Sequence, residues 1–251
     1  MRNLAVSSVA LIFFVSNVVA HGHPQYHILG GKTYTAFLPV ATPNYSADAP
    51  GITRKIGSEG PVTDISTSNI TCNIGAVPIL NSDGTSRVGE VTAGTNVTFA
   101  WNGFTHSGPV MTYMAKCSPD CGHFTGSQGA VWFKVDEIGY DTTVGAWGTQ
   151  FLADQKYKWN TRIPQCLESG EYLVRQEIMG MGACSVKGKC QFYPHCVQVK
   201  VVQGLGTKAP SAAQLISLPG GYKADDKGIF WNTNTQDPKD YKTPGPAVFT
   251  C

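Results

Sequence analysis

Short apolar runs separated by turn residues fill most of this chain, and no segment shows the three-to-four spacing of a long amphipathic helix. Residues 96–101, 110–116, 131–135, 172–179 and 197–202 are rich in valine, threonine and aromatic side chains, which favour a pleated backbone. Long irregular stretches lie around them, chiefly 39–63 and 204–245. Many short strands joined by long loops predict an all-β protein, an antiparallel β-sandwich whose loops carry the function. Residues 4–19 depart from this pattern, being mostly apolar and following the short basic start Met1-Arg2-Asn3. With small residues Val18 and Ala20 at the third and first places before a cut, residues 1–20 read as a secretion signal cleaved ahead of His21. Residues 21–251 then fit one domain, with no internal repeat and no Ser/Thr/Pro linker to a second module.

The formal net charge of +2 and the absence of a basic run argue against a nucleic-acid or anionic-membrane partner. After the signal, no apolar stretch is long enough to span a bilayer. The eight cysteines all follow residue 20, and an even count in a secreted chain reads as disulfides rather than as a zinc site. Spacing suggests two local loops, Cys117 with Cys121 and Cys184 with Cys190; Cys251 would pin the tail, and the full pairing is left open. Asn44, Asn69 and Asn96 begin glycosylation sequons. The expected location is therefore extracellular.

Cleavage ahead of His21 would give the mature chain an N-terminal histidine. That residue offers a metal two nitrogens, its α-amine and its imidazole, and the amine titrates near neutrality, at about 7.7–8.0. One more histidine completes a T-shaped set of three nitrogens, which suits copper. His106 is the candidate, on a turn just before the run starting at Val110. Gln191-Phe192-Tyr193 reads as extended, so Gln191 and Tyr193 share a face and could serve an axial position and its surroundings. His23 and His27 read as solvated, and His195 as part of a strand entrance.

These pieces resemble the fungal lytic polysaccharide monooxygenases of auxiliary activity family nine, formerly glycoside hydrolase family 61. The matching motifs run from His21 through Gly60-Pro61-Val62-Thr63-Asp64, His106-Ser107-Gly108-Pro109-Val110 and Gly170-Glu171-Tyr172 to Gln191-Phe192-Tyr193-Pro194 and Pro244-Gly245-Pro246. The resemblance implies an immunoglobulin-like sandwich with a flat exposed face bearing one copper. His21 and His106 would form a histidine brace, Tyr193 would stand at the axial position, and Gln191 would hydrogen-bond to Tyr193. It also implies a monomer that cleaves β-1,4-glucan oxidatively at C1 or C4. An external electron donor, a small molecule or a protein, would supply copper(I), and oxygen or hydrogen peroxide would be the co-substrate.

The chain departs from that pattern in one strand. Counting back from Gln191, the family's outer histidine is expected at Gln176, within Arg175-Gln176-Glu177, and Met179-Gly180-Met181-Gly182-Ala183-Cys184 replaces the usual Ala-Leu-His run. A glutamine keeps a hydrogen bond but cannot deliver a proton, so slower or altered turnover is expected. Among the late aromatics Tyr222, Phe230, Trp231 and Tyr241, the two tyrosines are expected to stack on sugar rings. The competing reading is a histidine-brace copper protein that handles copper, or acts on the producer's own wall, with little polysaccharide oxidation. A non-catalytic carbohydrate-binding sandwich would not need His21, His106 and Tyr193 together.

Overall fold

The computed structural model describes residues 22–37 and 51–251. The first five strands are β1 (Pro24–Leu29), β2 (Lys32–Thr35), β3 (Gly89–Thr92), β4 (Asn96–Trp101) and β5 (Val110–Lys116). Next come β6 (Ala130–Ile138), β7 (Tyr140–Asp141), β8 (Ala146–Trp147) and β9 (Lys158–Arg162). The last three are β10 (Glu168–Gly180), β11 (Gln191–Leu205) and β12 (Ile216–Ser217). Two short helices interrupt them, α1 (Asn69–Cys72) and α2 (Gly148–Asp154).

Two sheets form the sandwich, one in the order β2-β1-β4-β9 and one in the order β12-β6-β5-β10-β11-β3. Pairing is antiparallel except between β11 and β3. All five expected runs are strands, and β6, β10 and β11 extend beyond them. The short strands β1, β2, β3 and β9 were not among the expected runs. Leu29, Phe99, Met114, Phe133, Trp159, Ile178 and Tyr193 fill the core between the sheets.

The six-stranded sheet is buried on both faces. Along β10 and β11, Val174, Ile178 and Val197 point into the sandwich, whereas Leu173, Met179 and Phe192 point outward into a second apolar cluster. Long loops cover that outer cluster with Val62, Tyr222, Trp231 and Tyr241. A strand apolar on both faces loses polar alternation, which explains the unbroken burial of residues 172–181.

Under this cover lies a buried ion pair. Arg175 pairs with Glu177, and its guanidinium donates to the backbone carbonyls of Thr71 and Ile70, each at 2.8 Å. The Tyr222 hydroxyl donates to Glu177 Oε1 at 2.8 Å. The disulfides are Cys72–Cys196, Cys117–Cys121, Cys166–Cys251 and Cys184–Cys190. Both expected local loops are present, and Cys251 fastens the tail to the sandwich.

Candidate active site

His106 sits in the turn between β4 and β5, and close backbone approaches fix that turn from two sides. On one side, Met179 N–H donates to the Pro109 carbonyl at 3.2 Å and Met181 N–H to the Ser107 carbonyl at 2.9 Å. On the other, Gly108 N–H donates to Thr149 Oγ1 at 3.1 Å, and Thr149 N–H returns a bond to the Gly108 carbonyl at 3.0 Å. A Cβ at Gly108 would come within 1.9 Å of the Met179 carbonyl oxygen, so only glycine permits this strap.

The His106 ring is held by aromatic contacts rather than left to solvent. It stacks on Tyr193 with centroids 6.1 Å apart, and Phe104 presents its edge to both rings, at 5.6 Å and 4.9 Å. The Tyr193 hydroxyl donates to Gln191 Oε1 at 2.9 Å, as the shared strand face requires. Burial pushes the Tyr193 hydroxyl up to about 12, so it stays protonated at neutral pH. Gly180 pairs with Gln191, and a Cβ there would lie 3.2 Å from His106 and 3.3 Å from Gln191 Oε1.

His21 lies outside the described residues, but the chain beside it is firmly placed. A Cβ at Gly22 would come within 2.2 Å of the Gly103 carbonyl oxygen and 3.0 Å of the Phe104 ring. His23 N–H donates to Asn102 Oδ1 at 3.0 Å, and Asn102 N–H donates to the His23 carbonyl at 3.1 Å. His23 Nδ1 also faces Glu59 at 2.8 Å. Among the described residues, no three His, Cys, Asp or Glu side chains cluster closely enough to hold a metal. His106 is the described member of the metal set that the sequence suggests; His21 lies outside the described residues.

Several expectations need correction. Gln176 is not in this site: it pairs with His195, four positions before Gly180, or about 13 Å along an extended strand. It is fully buried, and its Oε1 accepts from Trp101 Nε1 at 2.5 Å. The part of β10 that meets His106 and Gln191 is its end at Gly180. Tyr222 and Tyr241 cannot stack on a polymer, because both are buried. Tyr222 stacks on Phe192 and bonds inward to Glu177, while Tyr241 is wedged between Trp147 and Trp231 and donates to the Gly228 carbonyl. Phe230 keeps 45% of its surface exposed. His27 and His195 are buried rather than solvated or at a strand entrance, and His23 is mostly buried against Glu59. Phe104, Gly180, Asn102 and Thr149 carried no sequence signal as site residues, since their roles come from approaches between distant segments.

Residues 21–241 match the family model of Auxiliary Activity family 9 (formerly GH61). The chain belongs to this family. An AA9 family lytic polysaccharide monooxygenase F from Botryotinia fuckeliana is 36% identical, covering 96% of this chain and 97% of its own. An AA9 family lytic polysaccharide monooxygenase B from Gloeophyllum trabeum is 38% identical, covering 96% of each. Among solved structures, HiLPMO9B superposes with a TM-score of 0.81 at 34% identity, over 92% of this chain and all of that one. A cellulose-active polysaccharide monooxygenase from M. thermophila gives a TM-score of 0.74 at 31% identity, over 92% and 99%. As a member of AA9, the chain is an enzyme, a lytic polysaccharide monooxygenase.

Proposed function

We propose that this protein is secreted, is cut ahead of His21, and uses one copper to cleave a β-1,4-glucan, cellulose or a close relative. The observation that carries the reading is the His106–Phe104–Tyr193 cluster, reached by the clamped backbone at Gly22. His21 and His106 would hold the copper, which when bound would supply one-electron chemistry toward oxygen or hydrogen peroxide. Phe104 and Tyr193 fix the His106 ring plane, and Gln191 accepts from the protonated Tyr193 hydroxyl. Gly180 lets the end of β10 pack closely against both the His106 ring and Gln191. Cellulose is favoured by likeness to the cellulose-active relative from M. thermophila. An external donor supplies the electrons, and the working form is a monomer.

The test is mature protein beginning at His21, loaded with one copper and incubated with ascorbate and swollen cellulose, xyloglucan, xylan or chitin. Oxidised oligosaccharides detected by mass spectrometry are the expected result and would name the polymer and the carbon. Copper bound with no oxidised product from any of the four would favour copper handling instead.

One observation keeps that second reading in view. In the run that replaces Ala-Leu-His, Gly180 is tightly packed, Met181 is buried, and Gly182 is exposed with nothing within 4 Å of its Cβ position. We read the small, apolar and polar members of the family's run as Gly180, Met181 and Gly182, a reading that their burial supports. On this reading the family's outer histidine would stand at Gly182. Gly182→His is expected to raise peroxide-driven turnover by about 10-fold or more at matched copper loading. Unchanged turnover would show that this position is irrelevant to the chemistry.

A further inference from the structure

Three lysine or arginine side chains are buried among the described residues, and two of them face a carboxylate: Arg175 pairs with Glu177, and Lys134 with Glu137. Arg54 is the third. It keeps 2% of its surface exposed, and no described carboxylate stands against it. Its guanidinium donates to the backbone carbonyls of Thr125 at 3.1 Å, of Cys121 at 3.0 Å and of Phe124. A guanidinium has five N–H donors, so these bonds leave two unused. The Nε–H is one of them, buried without a partner. Neutral carbonyls orient the cation but do not neutralise it. Burial lowers the guanidinium to about 10, with no carboxylate to raise it, and it stays charged at neutral pH.

Arg54 also lines a cavity of about 220 Å³, set between α1 with the turn after it and the loop that follows β5. Arg54, Thr71 and Cys72 form its buried part, and the exposed Ser68, Gly75 and Thr125 stand at its rim. We propose that this cavity binds a small oxyanion, such as inorganic phosphate or sulfate, as the counter-ion of Arg54. The site is independent of the copper reading above.

Charge, lining and donors select that class. A buried charge without a counter-ion is costly, and an anion in the cavity supplies one. No carboxylate lines the cavity, which leaves nothing to repel an anion and nothing to hold a metal cation. The polar groups of the lining have hydrogen bonds to give. Asn69 Oδ1 accepts from Gly75 N–H at 3.1 Å, so the amide N–H bonds of Asn69 are left for another acceptor. The hydroxyls of Thr125 and Ser127 share one bond at 2.8 Å, which leaves one O–H to donate. No aromatic ring lines the cavity, so it offers no platform on which a sugar would stack. A bound oxyanion would join Arg54, α1 and residues 117–129, segments already fastened by the Cys72–Cys196 and Cys117–Cys121 bridges.

The test uses metal-free protein in a zwitterionic buffer at constant ionic strength, titrated with sodium phosphate or sodium sulfate and followed by amide NMR. Saturable shifts centred on Ser68, Asn69, Gly126 and Ser127 are expected, with no such response to chloride. Two variants probe the guanidinium. Arg54→Met keeps the length of the side chain and removes its charge, and Ser127→Asp places a carboxylate at the cavity as an internal counter-ion. Each should weaken oxyanion binding by about tenfold or more. If Arg54→Met fails to fold, Ser127→Asp carries the comparison alone, since it leaves the guanidinium and its three carbonyl bonds in place. Shifts that do not saturate, that centre elsewhere, or that are matched by chloride would overturn the site. So would an affinity unchanged in folded Ser127→Asp.

Discussion

At the scale of single residues, the site depends on groups that touch no substrate. Asn102 makes two hydrogen bonds to the His23 backbone, and those bonds set where the segment at Gly22 meets Phe104. Asn102→Ala should cost folding stability only about 1 kcal/mol for the lost side-chain bond. At the proposed His21 and His106 site, copper affinity should fall by roughly tenfold, the lower end of what losing a ligand-orienting group costs. Calorimetry beside a thermal melt checks this, and unchanged affinity would mean that Gly22 alone holds this segment. The sequence shows His106, Gln191 and Tyr193 as site candidates because strand alternation and the family motifs act locally. It misplaces the outer position at Gln176 because counting residues through a loop does not give hairpin register. The actual register pairs Gln191 with Gly180 and leaves Gln176 opposite His195.

At the scale of elements, long apolar strands are legible and half-exposed ones are not. β5 and β10 stand out because both faces are buried, whereas β2 is almost wholly exposed and β3 contains a glycine and a glutamate. β9 does alternate, with Trp159 and Thr161 inward, but is only five residues long. The disulfides divide by the lengths they close. Cys72–Cys196 spans a sequence separation of 124 and joins α1 to β11, while Cys184–Cys190 spans 6 within one hairpin connection. Loop-closure entropy assigns about 5 kcal/mol to the first and about 2 kcal/mol to the second. Replacing Cys72 and Cys196 with serine should therefore lower stability in a denaturant titration about twice as much as replacing Cys184 and Cys190. Equal losses would show that the short bridge does more than close its loop.

For the whole molecule, buried histidines set the acid limit. Burial holds His27 at about 3, against about 6.5 in the unfolded chain, and lowers His195 as well. Between those values the unfolded chain binds the extra proton and the folded chain does not, so stability falls as the pH drops below 6.5. For His27 alone the loss is about 2 kcal/mol at pH 5, from 1.4 kcal/mol per unit. His27→Phe should shrink the difference between denaturation curves at pH 7 and pH 5 by that amount. A difference as large as in the wild type would place the acid sensitivity elsewhere.

The second apolar cluster also bears on redesign. Tyr222, Trp231 and Tyr241 anchor surface loops by serving as core for the sheet beneath. Transplanting the loop of a relative to change which polymer is gripped would remove part of the interior along with the surface. Grafts that retain these three inward rings should be tolerated, and grafts matched only on their outward residues should fail to fold, whatever grip they were designed to provide.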